Sequence, residues 1–296
     1  MSKPKLATLE LIKESKIYKL LKECDADSRL EASGVYTKGD YSYVVFDNKP
    51  DIAKLNNNLL ADENNQLVLK GDGQDFEDIA FDSEQQRLLI VQESHQNEQG
   101  EFCPRIDEYD LDLNFIESNP VDFLFDGDTN KGIEGLSYVN WGGKAYTLGL
   151  SEGNKAKDGK KSTKKGHGRI HVFEKEVTQW GHRATLKLPK SVRFSDYAGI
   201  GIEGLRVAVV SQESSALWIG ELQEGGWYFV DDGVSYSFPR DDKGEIIYGN
   251  VEGVSWLDEE TVIVVSDKRK AKIQAKICET KDQSIHIFKV PKPYIF

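Results

Sequence analysis

A short phrase recurs five times along the chain: a small or acidic residue, then Gly or Asp, then an aliphatic residue. The phrases begin at Ser33, Glu77, Glu134, Glu203 and Glu252, with spacings of 44, 57, 69 and 49 residues. Carboxylates gathered in a site of low dielectric repel one another, and a bound cation or a raised pKa relieves that repulsion. If the phrases meet in the fold, they form a metal site.

A second set of carboxylates follows the strand that we predict after each phrase. Its members are Asp47, Glu93, Glu152, Glu213 and Asp267. In an antiparallel pair the second strand returns to the end where the first began, so both sets are expected at one end of the fold. We take Glu93, Glu152 and Glu213 as candidate general bases, with His95 as a further candidate beside Glu93.

Two predicted loops at the same end are basic, although the chain as a whole is acidic. The candidate anion-binding residues in and beside them are Lys155, Lys160, Lys161, Arg169, Lys268 and Arg269. Basic side chains around a metal site would attract an anionic ligand. The lysine run also fits a solvated loop without a ligand. A glutamate at the start of an inner strand can likewise accept hydrogen bonds from a neighbouring strand, with no metal.

The spacing of the phrases predicts the elements that position these side chains. It matches one four-stranded blade plus variable loops, so we predict an all-β fold, a single β-propeller of five four-stranded blades. A sixth blade between Glu134 and Glu203 stays open. The apolar residues 16–21 are expected to pair with the last strands and close the ring, although they also fit a helical face. Residues 1–296 are predicted to be one domain.

Composition excludes several classes of protein. The chain has 296 residues, of which 39% are hydrophobic and 30% charged, which is typical of a globular protein. A formal net charge of −12 argues against nucleic-acid binding. No apolar stretch is long enough to cross a membrane, and the first residues lack the apolar core of a secretory signal. We therefore expect a cytoplasmic monomer with three reduced cysteines and a small anionic ligand.

Two familiar motifs occur in a context that does not suit them. Residues 149–153 match the G-x-S-x-G spacing of serine hydrolases, but no helix is predicted after the serine. Residues 199–204 match a dinucleotide fingerprint, but a predicted strand follows where the fingerprint needs a helix. We assign neither function.

The phrases resemble the repeated signatures of a known superfamily. Residues 30–35 (LEASGV), 75–80 (DFEDIA), 133–137 (IEGLS) and 251–256 (VEGVSW) are similar to those of SdiA-regulated and esterase-like phytase propellers. The last phrase is also similar to the calcium-ligand signature of the gluconolactonase and regucalcin group. One Ser and several Glu from five blades resemble the five-bladed apyrases with a central calcium ion. This chain departs from the pattern at Asp78, where Gly is usual, and it lacks a Pro after Glu-Gly.

The resemblance implies that Ser33, Glu77, Glu134, Glu203 and Glu252 are calcium ligands. Oxygen ligands without Cys or His also favour a hard cation, and several carboxylates around a roomy site suit calcium better than magnesium. The leading hypothesis is a calcium-dependent hydrolase that acts on a small anionic, phosphorylated substrate at the mouth of the channel. The alternative is a non-catalytic, calcium-stabilised propeller that binds a partner protein or a polyanion.

Overall fold

The computed structural model describes residues 6–69, 76–96, 100–124, 132–154 and 165–292, without the side chains of 69 and 94–96. The regular structure in these ranges consists of strands and short 3₁₀ helices such as Ile17–Lys19 and Lys276–Thr280. The fold is therefore all-β, as the sequence predicts. Within the same ranges, no helix has the length and apolar character needed to span a membrane.

The strands follow one another in five groups. In chain order they are β1 (Ala7–Thr8), β2 (Glu10–Lys16), β3 (Ala32–Lys38), β4 (Tyr41–Phe46), β5 (Lys49–Asn56), β6 (Gln66–Leu69), β7 (Phe76–Asp82), β8 (Arg87–Gln96), β9 (Phe102–Tyr109), β10 (Phe115–Asp122), β11 (Ile133–Trp141), β12 (Lys144–Ser151), β13 (Arg169–Lys175), β14 (Trp180–Lys187), β15 (Gly199–Glu203), β16 (Arg206–Ser211), β17 (Ala216–Glu221), β18 (Val234–Ser237), β19 (Val251–Trp256), β20 (Thr261–Ser266) and β21 (Ser284–Lys289). Group 1 is β3 to β6, group 2 is β7 to β10, and group 3 is β11 to β14. Group 4 is β15 to β18 with β1, and group 5 is β19 to β21 with β2.

Within each group the consecutive strands are antiparallel. Groups 2 and 3 form one eight-stranded sheet, because Val121 of β10 pairs in parallel with Trp180 of β14. Strand β1 joins group 4 as a parallel neighbour of β18. Strand β2 is antiparallel to β21, from the pair Glu10 and Lys289 to the pair Lys16 and Ser284.

The segment expected to pair with the last strands begins earlier than predicted. Strand β2 ends at Lys16, and a 3₁₀ turn follows at Ile17–Lys19. Ile17, Leu20 and Leu21 are buried in a core cluster shared by groups 1 and 5. The apolar residues of this segment therefore fill the core, and the more polar residues before them make the strand.

The first strand of each group contacts the first strands of the next and the previous group. The contacts join β3 to β7, β7 to β11, β11 to β15, β15 to β19 and β19 to β3. We call these five the inner strands. The hydrophobic core clusters of the described residues follow the same order, because each contains buried side chains from two successive groups. This propeller-like packing places equivalent residues of the five groups near one another.

Glycines of the repeated phrases let the inner strands approach closely. A Cβ atom on Gly253 would lie 2.8 Å from the Cα of Gly34, and one on Gly199 would overlap the carbonyl oxygen of Glu252. No side chain fits at such positions. The glycines are therefore required by contacts between groups.

Candidate functional site

Four of the five phrase residues lie at β-bulges of inner strands. The register with the second strand shifts between residues 32 and 34, 76 and 78, 133 and 135, and 251 and 253. Ser33, Glu77, Glu134 and Glu252 are the extra residues in these four bulges. A bulge changes the direction of a side chain, and here it turns equivalent side chains toward one end of the inner strands.

These residues line a small cavity of about 60 Å³, which we call the acid cavity. Its lining consists of Ser33, Glu77, Glu134, Glu152, Asp196, Tyr197, Ala198, Gln212, Glu252 and Lys270. The hydroxyl of Ser33 donates to the carbonyl oxygen of Phe76 on the next inner strand. The structure thus brings four predicted metal ligands and one predicted base, Glu152, to one place.

Burial and the charges of neighbouring carboxylates raise the pKa values of Glu77, Glu134 and Glu252 well above the ordinary value. For Glu77, burial is the largest cause, followed by the charges of Glu134, Glu93 and Glu252. For Glu134, burial is again first, followed by Glu93 and Glu152. The carboxyl groups of several inner strands therefore interact directly.

The second set of carboxylates lies close enough to add to this repulsion. Burial, followed by the charges of Asp267 and Glu31, raises the pKa of Asp47 to about 7. Burial also raises the pKa of Asp267 to about 6. The Oδ1 atom of Asp47 is buried and has no hydrogen-bond partner among the described residues. A buried carboxylate oxygen without a donor is costly, and a cation would compensate it.

One cationic side chain lines the acid cavity among the described residues. The Nζ atom of Lys270 lies 3.4 Å from Oε1 of Glu252 and 3.7 Å from Oδ2 of Asp267. Burial lowers the pKa of Lys270, but these two carboxylates raise it by more, so it stays above its ordinary value. The amide of Gln212 also donates to Oε1 of Glu252. The negative charge of Glu252 is therefore better compensated than the charges of Glu77 and Glu134.

The structure separates Glu203 from the other phrase residues. Gly199 pairs with Val210 as Gly253 pairs with Val265, so Ala198 takes the place that corresponds to Glu252. Glu203 is exposed at the far end of β15 and raises the pKa of Tyr36, after burial of that phenol. The prediction chose the wrong glycine, because both Gly199 and Gly204 precede an aliphatic residue.

Glu213 also lies outside the acid cavity. Asp47, Glu152, Gln212 and Asp267 directly follow the second strands β4, β12, β16 and β20, and Glu93 lies within β8, one residue after the partner of Phe76. Gln212 therefore occupies the equivalent place in group 4. Glu213 is exposed, and its backbone N–H donates to Asp196. Counting from the end of each strand, rather than looking for the nearest acid, would have identified Gln212.

Of the predicted anion-binding residues within the described ranges, Arg169 and Arg269 donate hydrogen bonds to other parts of the protein. Arg169 donates to the carbonyl oxygens of His167 and Gly168, at 2.8 and 2.9 Å. Arg269 donates to the carbonyl oxygen of Gln274 and to Glu279. Lys268 is exposed.

Other predicted residues can be located only in part. Lys155, Lys160 and Lys161 lie outside the described residues. His95 is described by its backbone, which pairs with Cys103. Lys270, from the same basic run as Lys268 and Arg269, is the residue of that run that lines the acid cavity.

The serine of the G-x-S-x-G segment makes a buried hydrogen bond instead of serving as an exposed nucleophile. The Oγ atom of Ser151 lies 3.1 Å from Nε2 of His171, and the serine is 2% exposed. Ser266 and His286 make the same contact, at 3.0 Å, in group 5. Burial lowers the pKa of His171 to about 4, so this histidine is neutral near pH 7. The repetition in two groups indicates a structural pair.

A larger groove adjoins the acid cavity. Its volume is about 620 Å³, within the range of small-molecule sites. The lining residues are Gln212, Glu213, Arg240, Glu245, Ile246, Gly249, Ile273, Gln274, Ala275 and Cys278. Gln212 lines both spaces, so the groove and the cavity lie side by side.

Across the part of the chain that the structure describes, no group of three or more His, Cys, Asp or Glu side chains forms a ready-made metal site. The carboxylates are near enough to shift one another's pKa values but are not gathered to ligating distance.

Comparison with known proteins identifies the family. The family model described as "Phytase-like: Esterase-like activity of phytase" matches residues 27–209, more than half of the chain. The chain belongs to the phytase-like family. The match covers the inner strands of groups 1 to 4 and so includes Ser33, Glu77 and Glu134. No curated protein matches the chain significantly in sequence.

Solved structures share the fold at low sequence identity. Glutaminyl cyclase from Myxococcus xanthus matches with a TM-score of 0.57 and 8% identity, over 98% of this chain and 100% of that chain. A PQQ-bound aldose sugar dehydrogenase from Streptomyces coelicolor gives 0.51 and 9%, over 94% and 98%. Regucalcin from Agrobacterium tumefaciens, a calcium-binding protein, gives 0.50 and 9%, over 96% and 97%. These likenesses concern the propeller-type fold alone.

Proposed function

We propose that the five groups are the blades of one five-bladed propeller spanning residues 1–296, closed where β2 pairs with β21. The cyclic contacts of the inner strands and the shared core clusters support this arrangement. The inner strands then surround one axis, and the acid cavity lies at one end of it.

We propose further that the acid cavity holds calcium. Ser33, Glu77, Glu134 and Glu252 would supply oxygen ligands, with Asp47 at the edge of the site. Three observations support this fit: the glutamates are part-buried with raised pKa values, the described residues give no hydrogen-bond donor to Oδ1 of Asp47, and the lining is rich in oxygen. Calcium tolerates the irregular, carboxylate-rich coordination that such a lining offers.

In this proposal the protein is a calcium-dependent hydrolase of small anionic, phosphorylated esters. Calcium held in the acid cavity would supply Lewis-acid polarisation of the substrate's ester bond. Glu152 would accept the proton of the attacking water on a carboxylate oxygen and pass it to the leaving alkoxide as the ester bond breaks. Lys270, which lines the cavity, would bind the anionic group of the substrate. The groove beyond Gln212 receives the organic part.

The observation that carries the proposal is the placement of Glu77, Glu134 and Glu252 in the lining of one small cavity. The test combines calcium titration by calorimetry with turnover of p-nitrophenyl phosphate, p-nitrophenyl acetate and phytate. Each assay is run with calcium and after chelation, on the wild type, on Glu134→Gln and on Glu152→Gln.

The outcomes separate the two candidate functions. A hydrolase gives calcium-dependent turnover, which both variants lose while Glu152→Gln keeps most of its calcium affinity. A calcium-stabilised scaffold binds calcium and gains thermal stability, but it hydrolyses none of the three esters. Absence of calcium binding by the wild type contradicts both.

A further inference from the structure

Asp78 stands where the other inner strands carry the glycine of the phrase. Its side chain is completely buried. The backbone N–H of Ile79 donates to Oδ1 at 2.8 Å, and that of Leu136 donates to Oδ2 at 2.8 Å. The backbone N–H groups of Val35 and Ile200 also form hydrogen bonds with this carboxyl group. Four different inner strands thus donate to one side chain.

The close approach of the inner strands creates this arrangement. A Cβ atom on Gly34 would lie 2.5 Å from Oδ1 of Asp78, so the carboxyl group touches the neighbouring backbone. Three of the four donors, Val35, Leu136 and Ile200, directly follow the glycine of their own strand. The donors therefore occupy equivalent positions and converge because the fold repeats.

The neighbours of Asp78 in the chain line two different spaces along the inner strands. Glu77, which precedes Asp78, lines the acid cavity. Ile79, which follows it, lines a second cavity of about 40 Å³ together with Val35 and Ile200.

The chemistry of this point is opposite to that of the acid cavity. Converging backbone N–H groups form a concave site that favours an anion. The four N–H donors match the acceptor oxygens of the Asp78 carboxyl group. Burial raises the pKa of Asp78 well above its ordinary value, and the hydrogen bonds from the amides offset only part of that rise.

We propose that the inner strands build a backbone anion-binding site at their centre and that the carboxyl group of Asp78 fills it. With glycine at position 78, as in the other phrases, the same amides bind a free monovalent anion of similar size, such as formate or chloride. This inference concerns the backbone donors and is independent of any hydrolase activity.

The test is chemical rescue of the Asp78→Gly variant. Thermal unfolding is followed in sodium formate and sodium chloride from 1 to 100 mM, with sodium gluconate holding the ionic strength constant. An anion that binds only the folded state raises the melting temperature with saturation, here by about 4 °C or more. The wild type shows no such rise, because its site is already filled. Crystals of the variant soaked in bromide give an anomalous peak among the four amides.

Asp82→Ala provides a matched control in the same strand. Asp82 is buried and accepts backbone N–H groups of Glu84 and Gln85 at 2.8 and 3.0 Å, but these donors belong to one local turn. Formate should not rescue this variant. Equal stabilisation of the control or of the wild type overturns the proposal.

A second measurement applies if Asp78→Gly does not fold in gluconate. The denatured variant is then refolded with and without 100 mM formate, and native protein is quantified by near-ultraviolet circular dichroism. Recovery that depends on formate supports the site. Equal recovery under both conditions, or none under either, overturns it.

Discussion

The two ends of the inner strands differ sharply in chemistry. At one end, Glu77 and Glu134 line the acid cavity, and the charge of Glu134 adds to burial in raising the pKa of Glu77. At the other end, the rings of Tyr36 and Phe81 stack with centroids 5.6 Å apart, and Nζ of Lys38 lies 3.7 Å from the Phe81 centroid. Strands β3 and β7 contribute to both ends. The same strands therefore carry a strained, charged site at one end and stabilising aromatic packing at the other.

This division separates the residues that can do chemistry from those that maintain the fold. The bulges lie only at the acid end of the inner strands, where they turn side chains into the cavity. The aromatic end has regular pairing down to its turns. Substitutions at the two ends should therefore affect different properties.

The largest effect on stability is expected from Phe81→Ala at the aromatic end. Phe81 is 5% exposed, and removal of a buried aromatic ring lowers the free energy of unfolding by about 3–5 kcal/mol. Urea denaturation measures this loss, and calorimetry should show unchanged calcium affinity. Phe115→Ala, at a ring that is 57% exposed, is the control and should cost less than about 1 kcal/mol. Loss of calcium binding by Phe81→Ala would contradict the division.

Glu134→Gln should have the opposite profile. Loss of one charged ligand weakens calcium binding by about 100-fold. The calcium-free variant should melt at a higher temperature than the calcium-free wild type, because one member of the repelling cluster is now neutral. Calorimetry and thermal melts measure both quantities. An unchanged calcium affinity would remove Glu134 from the site.

The acid end should also make stability depend on pH when calcium is absent. Folding raises the pKa of Asp47 to about 7 and that of Asp267 to about 6, from an ordinary value of 3.8. Between about pH 4 and pH 7 the folded protein then binds more protons than the unfolded chain, so its free energy of unfolding falls as pH rises. Melts with a chelator should show this fall relative to Asp47→Asn. Saturating calcium should reduce it, because the cation compensates the ionised forms.

A smaller effect is expected from Lys270→Met. Loss of the cavity cation should raise KM for an anionic ester by about 10-fold, which corresponds to about 1.4 kcal/mol, with a smaller change in kcat. Lys268→Met is the matched control, since both lysines are exposed and belong to one basic run, but Lys270 lines the acid cavity and Lys268 does not. Equal changes in the two variants would indicate a general effect of charge.

The smallest effect is expected from Glu203→Gln, although the sequence placed this residue among the ligands. Glu203 is exposed at the aromatic end, so calcium affinity should not change and stability should stay within about 0.5 kcal/mol. A loss of calcium affinity comparable to that of Glu134→Gln would mean that the two ends are not separate.

The sequence predicted the all-β fold because the phrases are spaced like successive strand groups. It also identified Glu77, Glu134 and Glu252, whose acidic side chains directly precede Gly or Asp. It misplaced the site in group 4, where Ala198 and Gln212 carry no charge. Which residue faces a cavity depends on the bulge and on pairing with the next strand. A register shift of one residue turns a side chain to the opposite face of the sheet. Choosing Gly204 instead of Gly199 places the predicted ligand at the other end of β15.

The buried interactions of the site could not be predicted from a single sequence, for a related reason. Lys270 and Lys268 are two residues apart in one basic run, yet only Lys270 lines the acid cavity. Asp78 is visible in the sequence as a departure from Gly. Its partners were not visible, because Leu136 and Ile200 come from distant inner strands.

The pairing of β2 with β21 has a consequence for biosynthesis. Glu10 leaves the ribosome 279 residues before its partner Lys289. Until then β2 lacks its neighbour, and β21, when it appears, must find a segment 268 to 279 positions away in the chain. Contacts of such long range slow folding. Completion of this sheet should therefore be a late event, after the intervening groups have been translated.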